Sequence, residues 1–306
     1  MKTTPRVSVI MPAYNVEQFV AEAIESILNQ TFTDFEFIIV NDGSTDNTAK
    51  IITEYAKKDK RIKFINNKKN AGFITASNQC LDIAKGEYIA KMDSDDVSLP
   101  TRLEKQVKFL DENDEIGMVG AAYQIFGGRE TTIKNPEHVG ILDLLYGCCT
   151  TIVMFRRKII EKYHLRYNMD FFACEDYDFY SRFITHANIA NLQEVLYKYR
   201  WHGTNVSLVK AEQQRQKSDK VRRNILDNIC CDKALKDFIF TNIHPSRHFC
   251  FKLFGIIPLL KTRGLTYEKK RRFYLFGFIP LIKLKDDKVY LFDRIRIGTN
   301  YTRIKK

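Results

Sequence analysis

The chain has 306 residues, 44% apolar and 28% charged, which is the balance of a soluble globular protein long enough for a large core. No run approaches the roughly 20 apolar residues a bilayer span needs, and polar Met1–Arg6 before the short apolar Val7–Met11 does not read as a secretory signal. The net charge of +12 is uneven: residues 210–306 carry 24 Lys and Arg against 9 Asp and Glu, and the first 209 residues net −3. A basic tail of that kind suits an anionic partner, nucleic acid or an acidic membrane surface. The seven cysteines include two adjacent pairs but no Cys-x-x-Cys spacing. They read as reduced thiols and offer no zinc framework.

The first half alternates strand and helix. Val7–Met11 is a strand-length apolar run. Val16–Asn29 carries Phe19, Val20, Ala23, Ile24, Ile27 and Leu28 at helical spacing. Phe35–Val40 reads as a second strand ending in the turn signal Asn41-Asp42-Gly43-Ser44. Ser44 or Thr45 is placed to cap a helix over Asp46–Lys58. Ile62–Ile65 is a third strand, Ile74–Ala84 a helix stopped at Gly86, and Glu87–Met92 a fourth strand. Further on, Arg102–Asp111, Ile159–Tyr163 and Asp176–Thr185 read as helices. Gly117–Phe126, Thr151–Phe155 and Val195–Arg200 read as strands.

Such alternation predicts an α/β fold with a mainly parallel sheet covered on both faces. Open sheets of this kind bind ligands at the carboxyl ends of their strands. Three polar clusters fall there: Pro12-Ala13-Tyr14-Asn15, Asn41-Asp42-Gly43-Ser44 and Asp93-Ser94-Asp95-Asp96. They are therefore expected to converge. Three carboxylates within four positions repel one another, so Asp93, Asp95 and Asp96 imply a bound cation. The alternative is a solvated acidic turn before the helix near Thr101.

The ordered motifs Val9-Ile-Met-Pro-Ala-Tyr-Asn15, Ser26-Ile-Leu-Asn-Gln-Thr31, Val40-Asn-Asp-Gly-Ser-Thr-Asp46, Asn70-Ala-Gly72, Gly86-Glu-Tyr-Ile89 and Asp93-Ser-Asp-Asp96 resemble the family 2 glycosyltransferases of GT-A fold. The likeness covers about the first 205 residues. It implies a Rossmann-like mixed sheet with helices on both faces, and an inverting enzyme that uses a nucleotide-sugar donor, a UDP-sugar above all. Domains are expected at residues 1–208, the transferase, and 209–306, a basic extension.

The resemblance also assigns roles. Pro12, Ala13 and Tyr14 flank the base. Asp42 accepts the uracil imino proton, and Asn70 and Gly72 border base and ribose. Asp93 stands near the ribose hydroxyls. Asp95 holds Mn²⁺ or Mg²⁺, whose hard-ligand preference it suits, with His202 as a further ligand and Arg200 facing the diphosphate. In Cys174-Glu175-Asp176-Tyr177-Asp178, Asp176 is the expected base and Glu175 orients it or the acceptor. Both acids also favour the positive start of a helix. Asp96 is either a neighbour of the cation site or a helix cap, Asn15 and Glu17 read as caps of the first helix, and Trp201 either stacks on a sugar or packs.

The sequence departs from the family at Ala76-Ser77-Asn78, where Ala-Arg-Asn is usual, and at Asn41, where Asp is usual. The expected acceptor is a glycan or lipid-linked glycan of a bacterial surface, in a lipopolysaccharide or capsule pathway.

The tail repeats Leu253-Phe-Gly-Ile-Ile-Pro-Leu-Leu-Lys261 as Leu275-Phe-Gly-Phe-Ile-Pro-Leu-Ile-Lys283, with a degenerate third start at Leu291-Phe292. Small stacked units or hairpins are expected. Mixed apolar and basic residues there fit peripheral attachment to an anionic membrane at the cytoplasmic face. Competing readings are a nucleotidyltransferase, which lacks its basic glycine-rich loop here, and a nucleic-acid binder acting through the tail. The latter leaves the acidic clusters of the body without a purpose, so nucleic acid is not the expected partner.

Overall fold

The computed structural model describes residues 4–128, 130–147 and 150–242, together with the backbone of six strands within residues 250–299. Two compact units emerge, residues 1–139 with 148–218 and residues 140–147 with 219–306.

The apolar runs of the first unit form a mixed sheet, ten-stranded among the described residues. Strand β1 (Val7–Ala13) pairs in parallel with β2 (Phe35–Asn41), and β3 (Ile62–Asn66) lies beyond β2. Every residue of β1 and β2 is buried, as continuous apolar runs in a parallel sheet require. Helices α1 (Val20–Leu28), α2 (Thr48–Lys58) and α3 (Phe73–Ile83) make the crossovers to β4 (Tyr88–Lys91), which pairs in parallel on the other side of β1. Val7, Val9 and Met11 share one core with Ile24 and Ile27 of α1 and Ile52 of α2. Each such fully buried aliphatic contributes roughly 1.5–3 kcal/mol. Ile10, Ile38 and Val40 are equally buried but lie outside that cluster, because strand residues alternate between faces. Helix α3 packs on β1 and β2 with buried residues that also lie outside it, so helices cover both faces.

After β4 comes the acidic turn, then β5 (Val97–Ser98), α4 (Arg102–Glu112), β6 (Ile116–Phe126), β7 (Thr131–Ile133) and β8 (His138–Val139). Helix α5 (Ile141–Tyr146) is part of the second unit. The first unit resumes with β9 (Met154–Arg156), α6 (Arg157–Lys162), a 3-10 turn at Met169–Phe171, α7 (Glu175–Phe183), β10 (Asn188–Arg200) and α8 (Val206–Val209). Strand β9 enters antiparallel between β4 and β6, and β10 runs parallel to β6 and antiparallel to β5. The sheet is therefore more mixed than the sequence alternation alone predicts. These pairings bring the start of α7 and the end of β10 to the strand ends that carry Asp93 and Asp95.

Helix α9 (Ala211–Ile229) leads into the second unit, followed by α10 (Lys233–Asn242). Strands β11 (Cys250–Leu253), β12 (Ile257–Arg263), β13 (Lys270–Leu275), β14 (Ile279–Lys285), β15 (Lys288–Leu291) and β16 (Ile295–Thr299) then form an antiparallel sheet in chain order. Each repeat copy spans a strand pair, with Leu253 opposite Ile257 and Leu275 opposite Ile279. Leu291 opposite Ile295 continues the pattern. Pro258 and Pro280 lack an N–H donor, and both sit beside register shifts, where a strand tolerates proline. Among the described residues no helix is long and apolar enough to cross a membrane.

Three local expectations are corrected. Helix α1 begins at Val20 and not Val16, because Asn15 takes a positive φ of 51° and residues 16–19 make a separate turn. Neither Ser44 nor Thr45 caps α2: Ser44 is bonded to Asn15 and Asn41, and Asp46 Oδ1 accepts the Thr48 amide instead. Strand β9 starts three residues after Thr151, since Ile152 at φ 56° cannot sit in an extended ladder.

Candidate active site

The first polar centre joins the ends of β1 and β2. Pro12 and Ala13 lie opposite Val40 and Asn41, and the Asp42 amide donates to the Ala13 carbonyl at 2.9 Å. Asp42 is 1% exposed. Its Oδ1 accepts from the Ala71 amide at 2.9 Å and its Oδ2 from the Gly72 amide at 2.8 Å. Asn67 donates to the same carboxylate at 3.3 Å and to Gln79 at 2.9 Å. Asn70 Oδ1 also accepts the Gly72 amide. Asp42, Asn70 and Gly72 are thus gathered as expected from their order in the sequence. Gly43, at φ 69°, makes this possible: a Cβ there would meet Asn70 N at 2.5 Å. Tyr14 stands at the rim, 45% exposed. Asn15 and Glu17 do not cap α1. They bind the Thr45 and Asn47 amides at 2.9 Å each and lace the two loops together.

The second centre is the acidic turn. His202 Nε2 lies 3.0 Å from Asp95 Oδ2, its ring stacked on Phe19 at 5.0 Å and its Nδ1 2.8 Å from Thr204 Oγ1. Burial, with Asp93 nearby, raises the Asp95 carboxyl above its ordinary range although His202 acts the other way. Asp96 is not a cap of α4. Its Oδ1 accepts the Arg200 amide at 2.7 Å, tying the turn to the end of β10. The Arg200 guanidinium donates to the Asp95 carbonyl at 2.8 Å and to Glu22, between the rings of Phe19 and Phe126. Trp201 lies against Gly128, whose would-be Cβ is 3.2 Å from the indole.

The third centre is the start of α7. Ala173, at φ 67°, turns the chain into Glu175 and Asp176, a strained backbone immediately before both acids. Lys91, last residue of β4, reaches Asp176 Oδ2 at 2.5 Å and Asp93 Oδ1 at 3.5 Å. Burial alone would push this ammonium down, but Asp176 and Asp93 hold it well above the ordinary lysine value. Burial and the Asp176 charge push Glu175 up to about 7. Asp176 Oδ1 and Glu175 Oε2 are sealed from solvent and have no hydrogen-bond partner among the described residues. Asn78, next to Ser77 where the sequence departs from the family, donates to the Tyr167 carbonyl and accepts its amide, both at 2.9 Å. That pair hangs the segment before α7 on α3.

The sequence reading assigned no role to Lys91, Asn67 or Tyr167. Lys91 had a visible signal: one charged residue in an otherwise apolar strand, just before three acids. Asn67 and Tyr167 had none.

A divalent cation fits the Asp95–His202 pair, a carboxylate oxygen beside an imidazole nitrogen. Among the described residues no group of three or more His, Cys, Asp and Glu is arranged to hold a metal. A cation such as Mg²⁺ customarily completes its shell with substrate phosphates and water, so two protein ligands suffice.

The sequence model of glycosyl transferase family 2 matches residues 8–186, more than half of the chain. The chain belongs to glycosyl transferase family 2. This glycosyltransferase is 40% identical over 238 residues to an uncharacterized glycosyltransferase of Haemophilus influenzae, covering 73% of its own length and 74% of the relative's. Its fold is shared with S. aureus TarS residues 1–349 in complex with UDP-GlcNAc, at TM-score 0.65 and 23% identity over 78% of this chain and 71% of that one. The mannosyltransferase PcManGT from Pyrobaculum calidifontis, in complex with GDP-Man and Mn²⁺, aligns at TM-score 0.57 and 18% identity over 76% and 66%. The GT-A architecture expected from the motifs is thereby established.

Proposed function

We propose that this glycosyltransferase moves a sugar, with inversion, from a nucleoside diphosphate donor to a hydroxyl of a glycan or lipid-linked glycan. The observation that carries the reading is the asymmetry of Asp176. One oxygen is held by Lys91, and the other is buried and free among the described residues. Inversion requires a base on the acceptor side, opposite the leaving group. The Asp176 carboxylate takes the acceptor proton while the hydroxyl oxygen bonds to the anomeric carbon. The bond from that carbon to the diphosphate breaks, and its electron pair leaves with the nucleoside diphosphate. Glu175 orients the acceptor beside Asp176.

On the donor side, Pro12, Ala13 and Tyr14 flank the base. Asp42 reads its imino N–H through Oδ2, which keeps a second lone pair after binding the Gly72 amide, while Oδ1 is taken by the Ala71 amide and Asn67. Asn70 and Gly72 border the ribose, Asp93 meets its hydroxyls, and Arg200 stands on the diphosphate side. Asp95 and His202 hold Mn²⁺ or Mg²⁺, which when bound supplies a Lewis acid for the departing diphosphate. The UDP-GlcNAc of TarS and the GDP-Man and Mn²⁺ of PcManGT support a nucleotide-sugar donor and a cation, with a UDP-sugar first in line.

A hydrolysis screen over nucleotide sugars tests this. Release of nucleoside diphosphate should require a divalent ion, and Asp95→Ala should remove that dependence together with most of the turnover. Metal-independent release, or full turnover by Asp95→Ala, sinks the mechanism.

The catalytic part is assigned to residues 1–208. The basic extension, 209–306, is assigned to an anionic cytoplasmic membrane surface, where each Lys or Arg contributes about 1 kcal/mol. A bacterial surface glycan, in a lipopolysaccharide or capsule pathway, is the acceptor class this implies. The full chain should float with anionic vesicles and not with neutral ones. Equal flotation with both removes the assignment.

A further inference from the structure

We propose that Lys91 is a positioning residue that couples the two halves of the site: its ammonium fixes the Asp176 carboxylate, through Oδ2, beside Asp93. The proposal rests on the reading of Asp176 as the base. A lysine at the end of a buried strand is costly unless its charge is used. The Lys91 side chain is only 10% exposed, and it spends its charge on carboxylates from two separate elements. Asp93 comes from the turn after β4, and Asp176 from the first turn of α7. The Phe73 ring lies under the ammonium, 5.7 Å from centroid to Nζ, and limits where it can go.

Several acids surround this ammonium. Facing Glu175 and Asp176 are Lys91 from β4, Asp93 from the following turn and the Tyr167 hydroxyl from the segment before α7. On their own helix, Cys174 adds a thiol raised by burial, and Asp178 is engaged by Arg182 at 2.7 Å. Without Lys91, Glu175 and Asp176 would lose the cation bonded to Asp176 in a desolvated space, while Asp93 would keep its interaction with Arg102. A proton would then settle more readily on Glu175. Lys91 orients the Asp176 carboxylate through a charge-assisted hydrogen bond. Because the same ammonium touches Asp93, a shift of the donor-side turn is felt at the acceptor-side base.

The test uses the full chain and two readouts. Carboxyl ¹³C NMR follows Glu175, whose carboxyl is pushed up to about 7 by burial and the Asp176 charge. Lys91→Met should raise the Glu175 midpoint by about one unit or more, and Lys91→Arg, which keeps the charge, should leave it within about half a unit. Hydrolysis of UDP-GlcNAc, or of the donor the screen finds, should fall about 100-fold in kcat for Lys91→Met, with the acid limb of its pH profile moved upward. UDP affinity in Mn²⁺ should change less than about threefold, and Lys91→Arg should recover about tenfold of the lost rate. An unmoved Glu175 midpoint, or a Lys91→Arg midpoint displaced as far as that of Lys91→Met, overturns the proposal. If Lys91→Met does not fold, Lys91→Gln takes its place in both readouts. Should wild type hydrolyse no nucleotide sugar, the donor reading fails, and the carboxyl titration still decides the role of Lys91.

Discussion

The carboxylate of Asp42 and those of Glu175 and Asp176 lie at strand ends of one sheet, yet they are held in opposite ways. Asp42 is buried with an amide on each oxygen. Glu175 and Asp176 each keep one buried oxygen without a partner among the described residues, and their counter-charge comes from Lys91. A group that must present one fixed lone-pair pattern gains from backbone partners that cannot move. A group that must accept a proton and release it needs an oxygen left open and a nearby charge to set its affinity. Saturated geometry therefore marks recognition, and unsatisfied buried geometry marks chemistry.

The largest effect expected from this contrast is on rate. Asp176→Asn preserves shape and removes the base, so kcat should fall about 1,000-fold or more with donor KM little changed. A rise in KM with kcat intact would place Asp176 with the recognition groups and break the contrast.

Asp42→Ala should act mainly on binding and stability. Two amides lose their acceptor, at a cost of roughly 3 kcal/mol in unfolding free energy, with weaker UDP binding. An urea titration with and without UDP checks it. A variant of unchanged stability but lower kcat would contradict the assignment.

The smallest effect is a pH dependence from Glu175, whose carboxyl sits at about 7 in the folded chain against an ordinary 4.5. The folded state binds this proton more tightly than the unfolded one. The stability it confers is therefore whole below pH 4.5 and lost as pH rises through about 7, on the order of 3 kcal/mol. Glu175→Gln should flatten that segment of a melting-temperature profile. A profile that keeps its slope in the variant would move the titration to another group.

Much of this was legible from residue order. Strands β1, β2 and β4 are largely apolar runs, interrupted by Ser8, Glu36 and Lys91, and a parallel sheet buries such runs on both faces, so their ends and the polar clusters there could be read directly. Boundaries failed where polar side chains took over backbone duties. The Asn15, Glu17 and Asp46 bonds reshape the starts of α1 and α2, and no periodicity encodes them. Strand β10 begins seven residues before Val195 because buried Asn191 is satisfied by Thr150 and the Pro136 carbonyl. An amide at such a position reads as loop until its partners are known. The Lys91 link was hidden for the same reason: its partner is 85 residues away.

The double hydrogen bond between Asn78 and Tyr167 has a practical consequence for engineering. The stretch that leads into Glu175 is not an independent graft. It is tied to α3 by the Asn78 carboxamide and by the Arg166–Asp82 ion pair. Chimeras that exchange residues 164–174 to alter acceptor choice should carry Asn78 along, or choose hosts whose third helix already offers an amide at that position.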